Sequence, residues 1–159
     1  MAKIVHQKLA LKYGLLDLEV PYYRYTPISV MQNSNTKLYW DIPIQTDRTI
    51  NANRPDIVLV DRRNGITYLV DITIPYDENL KKAEQDKIIK YLDLAHEIKD
   101  MWHTPTTHII PIVISTNGVI PKSLKDNLGK LGICCGLRYA IQKAVLLSSC
   151  RMLRRFLSL

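Results

Sequence analysis

Two aspartates occupy positions where strand-forming sequence disfavours them. The run Arg54-Pro55-Asp56-Ile57-Val58-Leu59-Val60-Asp61 carries Asp56 at the mouth of an apolar stretch, and Tyr68-Leu69-Val70-Asp71-Ile72-Thr73-Ile74 is interrupted by Asp71. Aspartate fits a pleated strand poorly, so two in neighbouring strands need a reason. Two carboxylates roughly 5–8 Å apart at Cβ repel unless a cation lies between them, and an all-oxygen site of that kind suits Mg²⁺ or Mn²⁺. The bland alternative is a hairpin end with one aspartate bonding a turn and the other exposed.

The elements that must position the pair follow from the residues between them. Arg62-Arg63-Asn64-Gly65 separates the two apolar runs, and Asn-Gly is the strongest short hairpin signal because a type I′ turn needs positive φ at both central residues. A two-residue turn at Asn64-Gly65 puts Asp71 opposite Val58 and Thr73 opposite Asp56, with the aspartates as diagonal neighbours on one face. A four-residue loop would pair Asp56 with Asp71 directly and keep the shared face.

The following segment supplies a cation. After Pro75, with Asp77 or Asn79 as cap, a helix is expected from Leu80 to Trp102, presenting Ile88, Tyr91, Leu92, Ala95, Ile98 and Trp102 on one face. Asp71 precedes the strand end by roughly 10 Å at about 3.3 Å per residue. Lys87 lies roughly 12 Å into the helix at 1.5 Å per residue. A helix folding back along the strand therefore brings Lys87 level with Asp71, and Tyr91 is one turn further on the same side. A solvated helix lysine is the competing reading for Lys87.

The rest of the chain reads as one α/β domain over residues 1–159. Ile4, Val5, Leu9 and Ala10 repeat at helical spacing over Lys3–Tyr13, and Gly14 follows as a stop. Residues 15–36 read as a loop with a broken strand near Ile28–Met31. Lys37–Ile44 is a strand whose Pro43 pushes it towards a sheet edge. Thr107–Ser115 is a buried strand despite Pro111. Two helices close the chain, Lys122–Leu131 and Leu137–Phe156, the second burying Leu137, Ile141, Ala144, Val145, Ser148, Met152 and Phe156. The expected order is α-β-β-β-α-β-α-α, with a mixed four-stranded sheet flanked by helices.

Composition narrows the class. The 159 residues are 47% hydrophobic and 23% charged, an ordinary globular balance. No apolar run approaches a membrane span, no signal peptide opens the chain, and Cys134, Cys135 and Cys150 form no Cys-x-x-Cys pair; a soluble protein of a reducing, intracellular compartment is expected. The net charge of +7 lies entirely beyond residue 121, where Lys122, Lys125, Lys130, Arg138, Lys143, Arg151, Arg154 and Arg155 face a single acid, Asp126. Such asymmetry points to a polyanion, most often nucleic acid, against the plain reading of a solvated basic face.

The ordered set Arg54-Pro55-Asp56, Asp71 and Lys87-Ile88-Ile89-Lys90-Tyr91 resembles the restriction-like endonuclease domain of non-LTR (LINE-type) retrotransposons, a branch of the PD-(D/E)xK superfamily. Trp40-Asp41-Ile42-Pro43-Ile44, Ile110-Pro111-Ile112-Val113, Ile120-Pro121-Lys122-Ser123-Leu124 and Ile141-Gln142-Lys143-Ala144-Val145-Leu146 look like the same polyproteins, so the resemblance spans nearly the whole chain. It implies a restriction-endonuclease-like core and a Mg-dependent (or Mn-dependent) DNA endonuclease, nuclear in location, that nicks target DNA for retrotransposon insertion. Asp56 and Asp71 would hold the metal with the carbonyl of Ile72, Lys87 would orient water or offset phosphate charge, and Tyr91 is the fourth motif position. DNA is the implied partner and element RNA a further one, while Lys122, Lys125, Lys143, Arg151 and Arg154 are the expected phosphate contacts.

This sequence departs from the superfamily pattern in two places. Thr73 stands where many members have lysine, and the first helix offers His6 and Gln7 but no acid. With no upstream reverse transcriptase region, the chain reads as the C-terminal fragment of a longer polyprotein. Two other readings stay open: a catalytically inactive nucleic-acid-binding remnant, and a DNA-binding module using the final helices with Gly132–Gly136 as a helix-turn-helix corner.

Overall fold

The computed structural model describes residues 1–133 and 136–158. The proposed corner at Gly132–Gly136 contains Cys134 and Cys135, which lie outside the described residues, as does Leu159. Helix α1 (Ala2–Lys12) is followed by strands β1 (Val30–Gln32), β2 (Thr36–Trp40), β3 (Ile57–Asp61) and β4 (Ile66–Thr73). Then come α2 (Leu80–Lys90), α3 (Leu92–Met101), β5 (Thr106–Val113), α4 (Lys122–Lys130) and α5 (Leu137–Leu157). The architecture is α/β: a five-stranded mixed sheet in the order β1-β2-β3-β4-β5, flanked by helices. The first four strands form an antiparallel meander, and β5 joins β4 in parallel after the helical crossover.

The strand count corrects the four-strand expectation, because the broken strand near Ile28–Met31 is a paired β1. β2 consequently lies inside the sheet. It stops at Trp40, where Asp41 turns to φ 46, before Pro43 is reached. Aspartate tolerates this left-handed conformation better than most residues.

The hairpin takes the longer of the two loops. Asp61 pairs with Ile66, so Arg62 to Gly65 form the connection and the two-residue turn does not occur. Asp61 decides this: its carboxylate accepts the Asn64 N–H at 3.1 Å and the Asn64 side-chain amide at 2.7 Å, holding Asn64 as the end of a turn. Gly65 supplies the positive φ of 64 that follows. Thr73 consequently does not face Asp56; it pairs with Val113 of β5.

The sheet separates two apolar layers. On one face α1, α4 and the first half of α5 cover Leu38, Ile57, Leu59, Val70, Ile110 and Ile112. On the other, Tyr91, Leu94 and Ile98 cover Val58, Val60 and Leu69. The single helix expected over Leu80–Trp102 is broken at Tyr91, whose φ of −104 and ψ of 8 leave the helical region. The break turns Tyr91 and Leu94 inwards and leaves Ile88 and Leu92 exposed. Neither Asp77 nor Asn79 caps α2 with its side chain.

Pro111 sits on the outer side of β5. Thr106 donates to the Gly65 carbonyl just before β4 and Ile114 to the Thr73 carbonyl at its end, so the odd-numbered residues of β5 turn their backbone away from β4. The missing N–H of Pro111 therefore breaks no ladder bond, and its carbonyl accepts the Asn127 amide at 2.8 Å. At the C-terminus, α5 buries Leu137, Ile141, Ala144 and Val145 as expected. Ser148, Met152 and Phe156 are exposed instead, because the apolar period runs on past the end of the body it packs against. No described helix is long and apolar enough to cross a membrane.

Candidate active site

Asp56 lies one residue before the first pair of the β3–β4 ladder, Ile57 with Val70, so its cross-strand counterpart is Asp71. Both share the sheet face of Val58 and Leu69, which is the face covered by Tyr91. Asp56 is fixed from two sides. Its Oδ2 accepts the Ile72 N–H at 2.7 Å, and its carbonyl accepts the Asp41 N–H at 2.8 Å.

Asp71 is 3% exposed. Its Oδ1 accepts the Tyr91 hydroxyl at 2.7 Å, and its Oδ2 lies 2.5 Å from the Lys87 ammonium. That second contact is charge without direction: Oδ2 is buried and makes no hydrogen bond of good geometry. Lys87 reaches it because α2 folds back against β5, the strand beside β4. The break at Tyr91 then drives the phenol into the core. Tyr91 is wholly buried, and its hydroxyl also accepts from Lys90 at 3.0 Å and lies 3.1 Å from the Arg54 carbonyl.

The electrostatics match this crowding. Burial raises the Asp56 carboxyl above its ordinary range and the Asp71 charge adds to that, while the Ile72 N–H and Lys87 pull the other way. Burial, followed by the hydrogen bond to Asp71, pushes the Tyr91 hydroxyl far above its usual value. Tyr91 therefore stays protonated and acts as a donor.

Whether a divalent cation fits is tested by the donors present. Asp71 Oδ2 is a buried oxygen whose partner is the Lys87 ammonium, and Asp56 carries a carboxylate that burial and a like charge disfavour. The Ile72 N–H points past the end of β3 to Asp56. A strand residue's N–H and C=O share a side, so its carbonyl faces the same way. Two carboxylates and a carbonyl form an oxygen set suited to Mg²⁺ or Mn²⁺. The described residues contain no group of three or more His, Cys, Asp or Glu side chains placed for a metal.

Several residues around this centre escaped the sequence reading. Arg54 grips Asp41 through two hydrogen bonds of 2.9 and 3.1 Å, forming an exposed pair at the mouth of the site. Glu84, one turn before Lys87, accepts Ser123 at 3.0 Å and Asn127 at 3.2 Å, tying α2 to α4. Because α2 has no buried residue of its own, this polar clamp is part of what places Lys87. The only signal in the sequence was a run of polar residues at helical spacing.

The basic residues fall elsewhere. Lys122 and Lys125 are exposed on α4, and Lys143, Arg151 and Arg154 are exposed on α5. α4 and α5 pack on the sheet face opposite the acid pair. The structure thus brings together Asp56, Asp71, Ile72, Lys87 and Tyr91, while the five basic residues lie on α4 and α5, of which α4 is joined to α2 through Glu84. Compared with known protein families and with curated proteins, the chain finds no match.

Proposed function

We propose that this protein is a metal-dependent DNA endonuclease with a restriction-endonuclease-like core, of the kind found at the C-terminus of non-LTR retrotransposon polyproteins. The observation that carries the reading is Asp71, a buried carboxylate set between Lys87 and Tyr91 with Asp56 across from it. A purely structural hairpin end needs none of these partners.

In this reading Asp56, Asp71 and the Ile72 carbonyl hold Mg²⁺ or Mn²⁺. The ion supplies positive charge for the phosphate and a more acidic water. Tyr91 holds Asp71 Oδ1 in place by donating its hydroxyl proton. Lys87 brings its charge from Asp71 to the scissile phosphate, where negative charge grows as the transition state forms. Arg54 sits at the mouth, where a backbone phosphate would pass. DNA is the substrate, element RNA a further partner, and the nucleus the place of action. The basic faces of α4 and α5 hold flanking phosphates.

A second reading, a catalytically silent nucleic-acid-binding remnant, is favoured by one observation: Lys87 already neutralises Asp71, the role a metal would take. Supercoiled plasmid incubated with Mg²⁺, Mn²⁺ or EDTA separates the two. Open circles with either metal and none in EDTA support the nuclease, whereas DNA retention without nicking in any condition supports the remnant.

A further inference from the structure

A concavity lies on the same sheet face as the acid pair. It measures about 440 Å³ and is lined by Lys37 and Tyr39 of β2, Val60 of β3, Arg62 of the hairpin, and Trp102 and His103 where α3 ends. Tyr39 pairs with Val58 and Lys37 with Val60, so the cavity spans from two to four residues along β3 from Asp56, roughly 7 to 13 Å at about 3.3 Å per residue.

Its chemistry is one-sided. Lys37 and Arg62 bring two cations and His103 an imidazole ring, no carboxylate lines the cavity, and none of the three makes a salt bridge among the described residues. The nearby carboxylate of β3, Asp61, belongs to the other face and is occupied by Asn64. Like charges focused in a concavity favour an anion. Beside them Tyr39 and Trp102 stack with centroids 5.8 Å apart and planes 16° from parallel, and the Lys37 ammonium lies 4.8 Å over the Tyr39 ring. His103 holds φ 50, an unfavourable backbone that places it on the cavity wall.

We propose that this groove binds single-stranded nucleic acid, with a base stacked on the outer face of Trp102, whose inner face meets Tyr39, and its phosphates on Lys37, Arg62 and His103. A single strand fits better than a duplex because only unpaired bases offer a free π-face to an aromatic platform. The inference deepens the nuclease reading and rests on its choice of nucleic acid. In that setting the groove receives the strand peeled away beside the cut, on the face where Asp56 and Asp71 act.

The test uses the full chain in EDTA, where no cutting can occur, with a fluorescein-labelled dT12 oligonucleotide followed by anisotropy. Intrinsic fluorescence is read in parallel in a Trp40→Phe background, which leaves Trp102 as the sole tryptophan of the two in the chain. Expected are saturable binding with quenching of Trp102, binding roughly tenfold weaker in Trp102→Leu, and binding at least tenfold weaker in Lys37→Glu/Arg62→Glu. The charge variant should also reduce the log–log salt slope by about 1.4, two contacts at about 0.7 each. If Trp40→Phe does not fold, anisotropy with the other variants decides alone. Full-strength binding by both variants, no quenching on saturation, or equal quenching by inorganic triphosphate would overturn the groove. A chain that nicks plasmid but shows no dT12 binding sensitive to these residues loses the groove and keeps the nuclease. One that binds as expected and never nicks keeps the groove and loses the chemistry.

Discussion

The Asp56 carboxylate accepts the backbone N–H of Ile72 at 2.7 Å, so a side chain from the mouth of one strand is tied to the residue that follows Asp71 in the next. The bond extends the β3–β4 ladder beyond its last backbone pair and keeps the two acids together. Burial and like-charge repulsion act against that arrangement. The chain itself therefore holds the two carboxylates side by side.

Metal response and chemistry should reside in different residues. Asp71→Ala is expected to abolish nicking and the rise in melting temperature produced by Mg²⁺ or Mn²⁺, since one remaining carboxylate holds the ion poorly. Lys87→Ala should keep that rise and lose most of the rate, because lysine is not a metal ligand. Thermal melts with and without metal, paired with plasmid nicking, check both. Parental nicking by Lys87→Ala would return this lysine to a plain counter-charge, with Lys90 next in line.

Tyr91→Phe keeps the ring and deletes the donor to Asp71 Oδ1. A buried acceptor left without its partner costs about 1–3 kcal/mol. Urea unfolding should show a lower midpoint with an unchanged m-value. An unshifted midpoint would mean the ring packs and the hydroxyl is idle.

His6 is fully buried on α1, shares a 2.7 Å hydrogen bond with the Tyr25 hydroxyl, and meets Trp40 edge-on. Burial lowers its pKa from 6.5 to about 4. With the folded pKa below the unfolded one, the unfolded chain binds the extra proton between these values. Stability is therefore complete above about pH 6.5 and falls as pH drops towards 4, by an amount on the order of 3 kcal/mol. His6→Gln should flatten the stability profile across that window. A slope equal to the parent's would assign the acid sensitivity to other groups.

On α5, the wheel of about 100° per residue puts Lys143, Arg151 and Arg154 on one side, and all three are exposed. If they contact phosphate, replacing them together with alanine should weaken duplex binding and lower the log–log salt slope by up to about 2.7, at about 0.9 per contact. Titrations at several salt concentrations give the slope directly. An unchanged slope would leave them as a solvated face.

The parity of the hairpin was legible because any even-length loop puts Asp56 and Asp71 on one face, whichever turn forms. The turn itself was misjudged because Asn64-Gly65 reads as type I′ in isolation, whereas Asp61 captures the Asn64 N–H and lengthens the loop. Lys87 and Tyr91 were placed by counting rise per residue. The break at Tyr91 was not foreseen, since an apolar stripe looks continuous until a buried phenol must reach a carboxylate behind it. Ser148, Met152 and Phe156 show the opposite failure: helical period reports which side is apolar, not where the underlying body stops. The clamp of Glu84 and the pairing of Arg54, a residue quoted only as part of its motif, were not foreseen because their partners, Ser123, Asn127 and Asp41, lie elsewhere in the sequence.

The outward-turned Pro111 has a consequence for how copies of this protein meet. The sheet has two open borders, and an exposed border strand is a template on which another chain can add a strand and start aggregation. β5 forms one border, where Pro111 offers no N–H and its carbonyl is taken by Asn127. The other border, β1, is three residues long, too short to seed a stable ladder. Both borders therefore resist strand addition, so association must proceed through side-chain surfaces rather than by extending the sheet.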